Sequence, residues 1–315
     1  MKIVVTGALG HIGSRLIRDL PVQFPGAEIV MIDNLLTQRY CSMFNLNKSQ
    51  AHYRFIEADI LKLSLAPIFA GAAAVVHLAA ITDAASTFDK KDLVEEVNLH
   101  GTEIVAKACL ETGVPLIALS TTSVYGSQSE LVDENCPECD LKPQSPYAES
   151  KLKMEMRLAS LRQSEGLRHV VCRFGTIFGV SAGMRFHTAV NKFIWQACLG
   201  KPISVWRTAL HQQRPYLELG DGCRALAHII SNDLFAGEVF NVLTLNASVN
   251  DILESIKTRY LDLRVEFVDS PIMNQLSYKV DCAKFGRTGF QPAGDLVKSV
   301  QETIAWIDMS DGFRK

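Results

Sequence analysis

Tyr147 and Lys151 stand four residues apart in Ser145-Pro146-Tyr147-Ala148-Glu149-Ser150-Lys151, a run that reads as the start of a helix. Ser145 has an N-cap side chain, Pro146 suits the first helical position, and Gly166 closes the far end. Residues at i and i+4 share one helix face. An ammonium held there stabilises a phenolate and lowers the tyrosine pKa from about 10 toward the working pH, making Tyr147 a usable acid or base. Taken alone, a Tyr and a Lys at this spacing also read as a surface packing pair. The upstream segment favours chemistry. An apolar strand ending at Leu119 runs into Ser120-Thr121-Thr122-Ser123-Val124-Tyr125-Gly126, which gathers hydroxyls at the carboxyl end of a sheet, the edge where open α/β folds bind ligands. A hydroxyl there holds a reacting alcohol while Tyr147 takes or returns its proton.

A second constellation lies at the start of the chain. Thr6-Gly7-Ala8-Leu9-Gly10-His11-Ile12-Gly13 follows the apolar run Ile3, Val4, Val5 and opens a helix with Ile12, Leu16 and Leu20 on one face. Gly7 permits the sharp exit from the strand, Gly10 admits a pyrophosphate close to the backbone, and Gly13 lets the helix pack on the sheet. The N–H groups and dipole at the helix start favour the phosphate charge. The next strand, Glu28-Ile29-Val30-Met31-Ile32, ends in Asp33, twenty residues beyond Gly13, where a carboxylate accepts both hydroxyls of an adenosine ribose. That carboxylate repels a 2′-phosphate and selects NAD over NADP, although Arg15 and Arg39 are near enough in sequence to receive such a phosphate.

These residues need a sheet to position them. Strand-like runs at Lys2–Thr6, Glu28–Ile32, Tyr53–Glu57, Ala74–Leu78, Leu116–Leu119 and His169–Phe174 alternate with helical ones, which predicts an α/β fold. The expectation is a Rossmann-type doubly wound parallel sheet over residues 1–174. A smaller C-terminal α+β substrate lobe would follow over 175–315, with some segments returning to the sheet. A helix is predicted over Asp89–Thr112, closed by Gly113 before Pro115. Beyond Gly175 the pattern gives helices near His187–Leu199, Asp221–Ser231 and Leu296–Ile307. Short strands fall near Ile203–Trp206, Val239–Val242 and Arg264–Val268.

The 315 residues suffice for two domains or one elaborated α/β domain. A net charge of −2 leaves no basic excess for a nucleic-acid backbone or an anionic membrane. Met1 leads straight into a strand and no apolar run is long enough to span a bilayer, so a soluble cytoplasmic protein is expected. The eight cysteines mostly fall in apolar contexts and read as reduced core thiols. Cys136-Pro137-Glu138-Cys139 has no second CxxC or His pair to complete a zinc site and reads as a solvated loop, so no metal is expected.

Over nearly its whole length the chain resembles the extended short-chain dehydrogenase/reductase family, in its NAD-dependent nucleotide-sugar epimerase/dehydratase group. The resemblance rests on the TGxxGxxG turn, Asp33-Asn34-Leu35, Glu57-Ala58-Asp59-Ile60, and His77-Leu78-Ala79-Ala80. It extends through Asn98 in Val97-Asn98-Leu99-His100-Gly101-Thr102, the Ser-Thr-x-x-Val-Tyr-Gly segment, and Tyr147 with Lys151. It implies a cofactor site built from Gly7, Gly10, His11, Ile12, Gly13, Asp33, Asn34, Asp59, Ile60, Leu78, Ala79, Ala80 and Asn98, with Tyr147 and Lys151. Asp59 and Ile60 would hold the adenine, Ala79 would lie along the cofactor, and Thr121 would partner Tyr147.

Arg214-Pro215-Tyr216 with Asp221 resembles the family segment that brings an arginine to a nucleotide diphosphate, and Tyr278-Lys279-Val280-Asp281 with Lys284 resembles its closing pattern. Family dehydratases usually carry Asp-Glu where this chain has Thr122-Ser123, so the resemblance favours the 4-epimerase branch. Tyr278 matches a bulky position in relatives that prefer sugars without an N-acetyl group, which implies a hexose or its uronic acid. Two departures alter the expected diphosphate site: Thr176 replaces a family asparagine, and Pro271-Ile272-Met273-Asn274 replaces a family arginine. Arg185, with Asn191 further on, is the candidate replacement, a solvated helix start being the other reading of the pair, and Asn274 is counted among the substrate residues. A reductase or dehydrogenase, a dehydratase or decarboxylase, and a non-catalytic dinucleotide binder are the alternatives. A homodimer through the helices 89–112 and 146–165 is expected by resemblance.

Overall fold

The computed structural model describes residues 1–82, 90–126, 131–269 and 277–308. Strand β1 (Lys2–Thr6) leads into helix α1 (His11–Gln23), then β2 (Glu28–Asp33), β3 (His52–Glu57), the single turn α2 (Ala66–Phe69) and β4 (Ala74–His77). Helix α3 (Lys91–Glu95) runs through a π turn, Glu96–His100, into α4 (Gly101–Thr112), and β5 (Leu116–Thr121) follows. Next come β6 (Leu131–Val132), α5 (Pro146–Glu165), β7 (His169–Phe174) and β8 (Thr176–Phe178). The chain continues through α6 (Ala189–Cys198), β9 (Ile203–Trp206), β10 (Gln213–Glu218), α7 (Leu219–Ser231) and β11 (Ala236–Val242). It closes with β12 (Leu245–Ser248), α8 (Val249–Lys257), β13 (Val265–Val268), β14 (Lys279–Val280), α9 (Ala283–Gly286) and α10 (Leu296–Ile307).

Seven strands form one parallel sheet in the order β11-β7-β5-β4-β1-β2-β3. Strands β4, β5 and β7 are buried at every residue, as a parallel sheet covered on both faces requires. Leu16, Ile17 and Leu20 of α1 pack one face with Leu226 and Ile229 of α7, while Val105 of α4 and Met154, Leu158 and Leu161 of α5 pack the other. Strand order reverses at β1, where Thr6 lies opposite Ile32 of β2 on one side and His77 of β4 on the other. That reversal opens a crevice at the carboxyl ends of β1 and β4.

Later segments build small sheets, β12-β10-β8 and the pairs β13-β9 and β14-β6, while β11 joins the main sheet beside β7. Phe178, Ile194, Ile252 and Ile304 form a separate apolar cluster among α6, α8 and α10. The helix expected over Asp89–Thr112 is interrupted by the π turn, with Asp89 itself outside the described residues. The turn carries the fully buried Asn98, whose amide is satisfied by backbone and side-chain partners away from its own helix. Gly113 closes α4 at φ 69° and Gly166 closes α5 at φ 76°, both left-handed caps. Among the described residues no helix is long and apolar enough to cross a membrane, and no metal-ligating cluster occurs. Cys109, Cys172, Cys198 and Cys223 are buried free thiols, whereas Cys139 of the CxxC run is exposed.

Candidate active site

The glycine turn is shaped by what a side chain would strike. A Cβ on Gly7, which sits at φ 64°, would lie 2.6 Å from the Ala79 nitrogen, and one on Gly13 would lie 2.5 Å from the Gly7 carbonyl oxygen. Gly10 differs: its Cβ would meet one protein atom, the Gly7 oxygen at 3.3 Å, and would otherwise project into open space. A cleft of about 350 Å³ opens there, at the crevice set by the strand order. Its walls include Gly7, Gly10, His11, Ile12 and Gly13 of the turn, Asp33 and Asn34 after β2, and Asp59 and Ile60 after β3. Leu78, Ala79, Ala80, Ile81 and Thr82 after β4 complete it together with Arg185.

Asp33 is oriented by the backbone, accepting from Leu9 N at 3.0 Å and Leu35 N at 2.9 Å. Asn34 and Asp59 brace their own loops by accepting from Leu36 N at 3.1 Å and Leu61 N at 3.0 Å. Arg39 lines the same cleft, whereas Arg15 is paired with Asp19 at 2.8 Å in a different cavity, so it does not stand ready for a 2′-phosphate. His11 donates from Nε2 to the Gly179 carbonyl at 3.0 Å, tying the turn to the loop after β8. Burial pulls its pKa down to about 4, so the ring is neutral.

A buried hydroxyl–imidazole chain supports the cleft wall. Thr102 Oγ1 donates to the Asn98 carbonyl at 2.6 Å, so it accepts from His77 Nε2 at 3.1 Å; His77 Nδ1 then accepts from Thr6 Oγ1 at 2.7 Å. Burial, followed by the Lys151 charge, brings His77 down to about 3. Asn98 does not reach the cleft. Its amide clamps Ile81 N and O at 2.8 and 2.9 Å and donates to Ser150 Oγ at 3.1 Å, joining the cleft wall to α5.

Thr121 closes β5, and Tyr147 and Lys151 occupy the first turns of α5, whose cap is Ser145 Oγ accepting from Ala148 N at 3.2 Å. The Tyr147 hydroxyl is in polar contact with Thr121. Burial raises its pKa, opposed first by the charge of Arg185 and then by Thr121. Arg185 is thus a cation acting on the phenol that the helix spacing did not point to. Lys151 is 3% exposed and makes no hydrogen bond among the described residues. Burial brings it down to about 8, with Glu155 acting in the opposite sense.

The substrate candidates fall into three groups. Thr122, Ser123 and Tyr278 come together: Thr122 Oγ1 donates to the Phe174 carbonyl at 3.4 Å and accepts from the Tyr278 hydroxyl at 3.4 Å, and Ser123 lies in polar contact with that hydroxyl. Arg214 on β10 acts electrostatically on Tyr278 and Tyr216, and Thr176 stands opposite Tyr216 at the start of β8. Arg185 reaches Thr82 Oγ1 across the cleft. Asn191 is not brought to the site, because its fully buried amide holds the Arg185 carbonyl at 2.9 Å and Gly179 N at 3.2 Å. Asp221 is likewise structural, accepting from Thr244 Oγ1 at 2.6 Å and Ala293 N at 3.0 Å. Asn274 lies outside the described residues.

Sequence reasoning missed Glu155 and the partnership of Arg185 with Tyr147. The signal for Glu155 was present in its spacing, one turn beyond Lys151 on the same helix face.

Sheet order and cleft define the class, a Rossmann-type dinucleotide-binding protein. The chain belongs to the NAD dependent epimerase/dehydratase family, whose profile matches residues 3–242, and its cofactor is NAD. The residues present fit that cofactor: Gly10 leaves room at the helix start, Asp33 faces the cleft, and Lys151 keeps its donors uncommitted among the described residues. The chain is 28% identical over 97% of its length to a trifunctional UDP-glucose 4,6-dehydratase/UDP-4-keto-6-deoxy-D-glucose 3,5-epimerase/UDP-4-keto-L-rhamnose-reductase from Arabidopsis thaliana, covering 46% of that protein. It spans about half the length of the first such relatives. It is also 28% identical to a dTDP-glucose 4,6-dehydratase from Streptomyces griseus, covering 96% of this chain and 93% of the relative. Among solved structures, a UDP-glucuronic acid 4-epimerase from Bacillus cereus superposes with a TM-score of 0.88 at 25% identity, covering 98% of this chain and 99% of that one.

Proposed function

We propose that the protein is a nucleotide-sugar 4-epimerase of the UDP-hexose or UDP-hexuronate type. The observation that carries this reading is the hydroxyl cluster beside Tyr147. Where family dehydratases place Asp-Glu, this chain has Thr122 and Ser123, and the Tyr278 hydroxyl lies against both. Eliminating water requires a further acid and base beside the tyrosine, whereas epimerisation requires proton transfer at one hydroxyl.

Gly7, Gly10, Gly13, Asp33, Asp59 and Lys151 would hold NAD, which supplies hydride acceptance and return when bound. Tyr147 removes the proton from the sugar 4-hydroxyl as C4 is oxidised, and Thr121 holds that oxygen. The 4-keto sugar then turns in the pocket, and Tyr147 returns the proton once reduction has occurred on the opposite face. Arg214 meets the diphosphate. Arg185 favours a sugar with a carboxylate at C5, because its charge already acts at the phenol that must contact the neighbouring 4-hydroxyl. Leu93 and Met156, 48% and 41% exposed on α3 and α5, supply the apolar contacts of a homodimer through these helices.

The test is incubation with UDP-glucuronate, UDP-glucose and dTDP-glucose, followed by mass spectrometry, proton NMR and NADH absorbance. Product of unchanged mass with an inverted C4 proton pattern and no net NADH is expected. Loss of water makes the enzyme a dehydratase, and net NADH turnover makes it a reductase or dehydrogenase.

A further inference from the structure

One carboxylate behind the site touches three elements. Glu155, 6% exposed on α5, accepts from Ser120 Oγ of β5, the residue before Thr121. It also accepts from Arg173 of β7, through Nε at 3.1 Å and Nη2 at 2.6 Å. On its own helix it faces Lys151 one turn back. Arg173 lies over the Tyr125 ring, its guanidinium carbon 5.0 Å from the centroid, and the Tyr125 hydroxyl donates to Asn241 Oδ1 of β11 at 2.9 Å. A buried ion pair is a poor device for stability alone, since a well-packed apolar pair of similar volume is often neutral or better. Its location suggests another use, because the pair joins the strand end carrying Thr121 to the helix carrying Tyr147 and Lys151.

We propose that Glu155 and Arg173 are a positioning pair for this active site, the carboxylate standing one helical turn from Lys151 and fixing the end of β5 against α5. The proposal rests on the reading of Tyr147 and Lys151 as the proton-transfer pair. Among the described residues, the titratable and charged groups around Lys151 are Tyr147 and Glu155 on α5, His77 on β4 and Arg173 on β7, with Arg185 beyond Tyr147. His77 is neutral, so Glu155 is the one anion of the set. Burial disfavours the ammonium and Glu155 opposes it, so removing both members of the pair makes Lys151 lose its proton at lower pH. Removing Arg173 alone leaves the carboxylate undivided on Lys151 and moves the titration the other way.

The experiment measures NAD affinity by calorimetry and kcat of sugar conversion from about pH 6 to about pH 9.5. Wild type is compared with Glu155→Gln/Arg173→Met and with Arg173→Met, and Lys151→Met serves as the baseline. The expected basic limb falls by about one pH unit in the double variant and rises in the single one. NAD affinity near pH 8 falls about fivefold in the double variant and is near wild type at about pH 6.5. Coincident limbs in the folded proteins overturn the proposal, since a merely structural pair would lower affinity equally at every pH. Should Arg173→Met fail to fold by near-ultraviolet circular dichroism, Glu155→Asp must keep the wild-type limb while Glu155→Gln loses it; equal behaviour of those two overturns the proposal as well. The calorimetric arm needs no sugar. A wild type that converts no nucleotide sugar overturns the epimerase reading, while the limb shifts in NAD affinity still decide the role of Glu155.

Discussion

The two ends of the site are built on opposite principles. The glycine-turn end is contiguous in sequence, from Gly7 to Asp33, and its decisive contacts are backbone ones: Cβ atoms that cannot exist at Gly7 and Gly13, and N–H groups that aim Asp33. The Tyr147 site gathers Thr121 of β5, Tyr147 and Lys151 of α5 and the charge of Arg185 from the loop after β8, and its decisive features are charges held out of water. Dinucleotide recognition therefore tolerates few side chains, whereas the chemistry depends on which side chains face one another. Substitutions should separate the two ends cleanly.

The largest separation is expected from Tyr147→Phe, which removes the proposed proton-transfer group and should lower kcat about a thousandfold. NAD affinity by calorimetry should stay near wild type; an active variant would remove Tyr147 from the mechanism. Arg185→Leu sharpens the Tyr147 end further. Losing a charge-assisted contact of about 2 kcal/mol should cut kcat/KM for UDP-glucuronate about thirtyfold. UDP-glucose should be much less affected, and equal losses on both sugars would detach Arg185 from the carboxylate. At the other end, Gly13→Ala places a methyl group 2.5 Å from the Gly7 oxygen and should cost about 1 to 3 kcal/mol of stability with weakened NAD binding. Thermal melts with and without NAD check this.

A further separation is in pH dependence. His11 and His77 have folded pKa values of about 4 and about 3, below the ordinary 6.5, so the unfolded chain binds more protons in that window. Stability should be level above about pH 6.5 and fall as pH drops toward 4, by about 1.4 kcal/mol per pH unit for each imidazole. Lys151, brought from 10.5 to about 8, acts at the alkaline end: its burial costs stability below about pH 8, and that cost is relieved as pH rises from 8 to 10.5. Denaturant midpoints across pH should show the acid slope reduced by about half in His77→Asn, where His11 still contributes, and the alkaline slope lost in Lys151→Met, each leaving the other slope intact.

How legible each end was follows from the same contrast. The parallel sheet and the caps at Ser145, Gly113 and Gly166 could be read because strand apolarity and capping chemistry are local. The π turn at Glu96–His100 could not, since it exists to satisfy Asn98 against Ile81 and Ser150, contacts 17 and 52 residues away in the chain. The place of Asn191 could not be read for a related reason. A polar residue near a candidate arginine looks like a ligand until its amide is found holding the backbone of Arg185 and Gly179.

By itself the sequence determined that this chain forms a Rossmann-type sheet, where the dinucleotide turn lies, and which tyrosine, lysine and threonine share one sheet edge. Those facts depend on spacing within single elements. The tertiary structure alone decided that Arg185 acts on Tyr147, that Tyr278 lies against Thr122 and Ser123, and that Glu155 joins Arg173 and Ser120. Such pairings arise from strand order and burial, and a charge acquires its full influence where the fold removes the water around it.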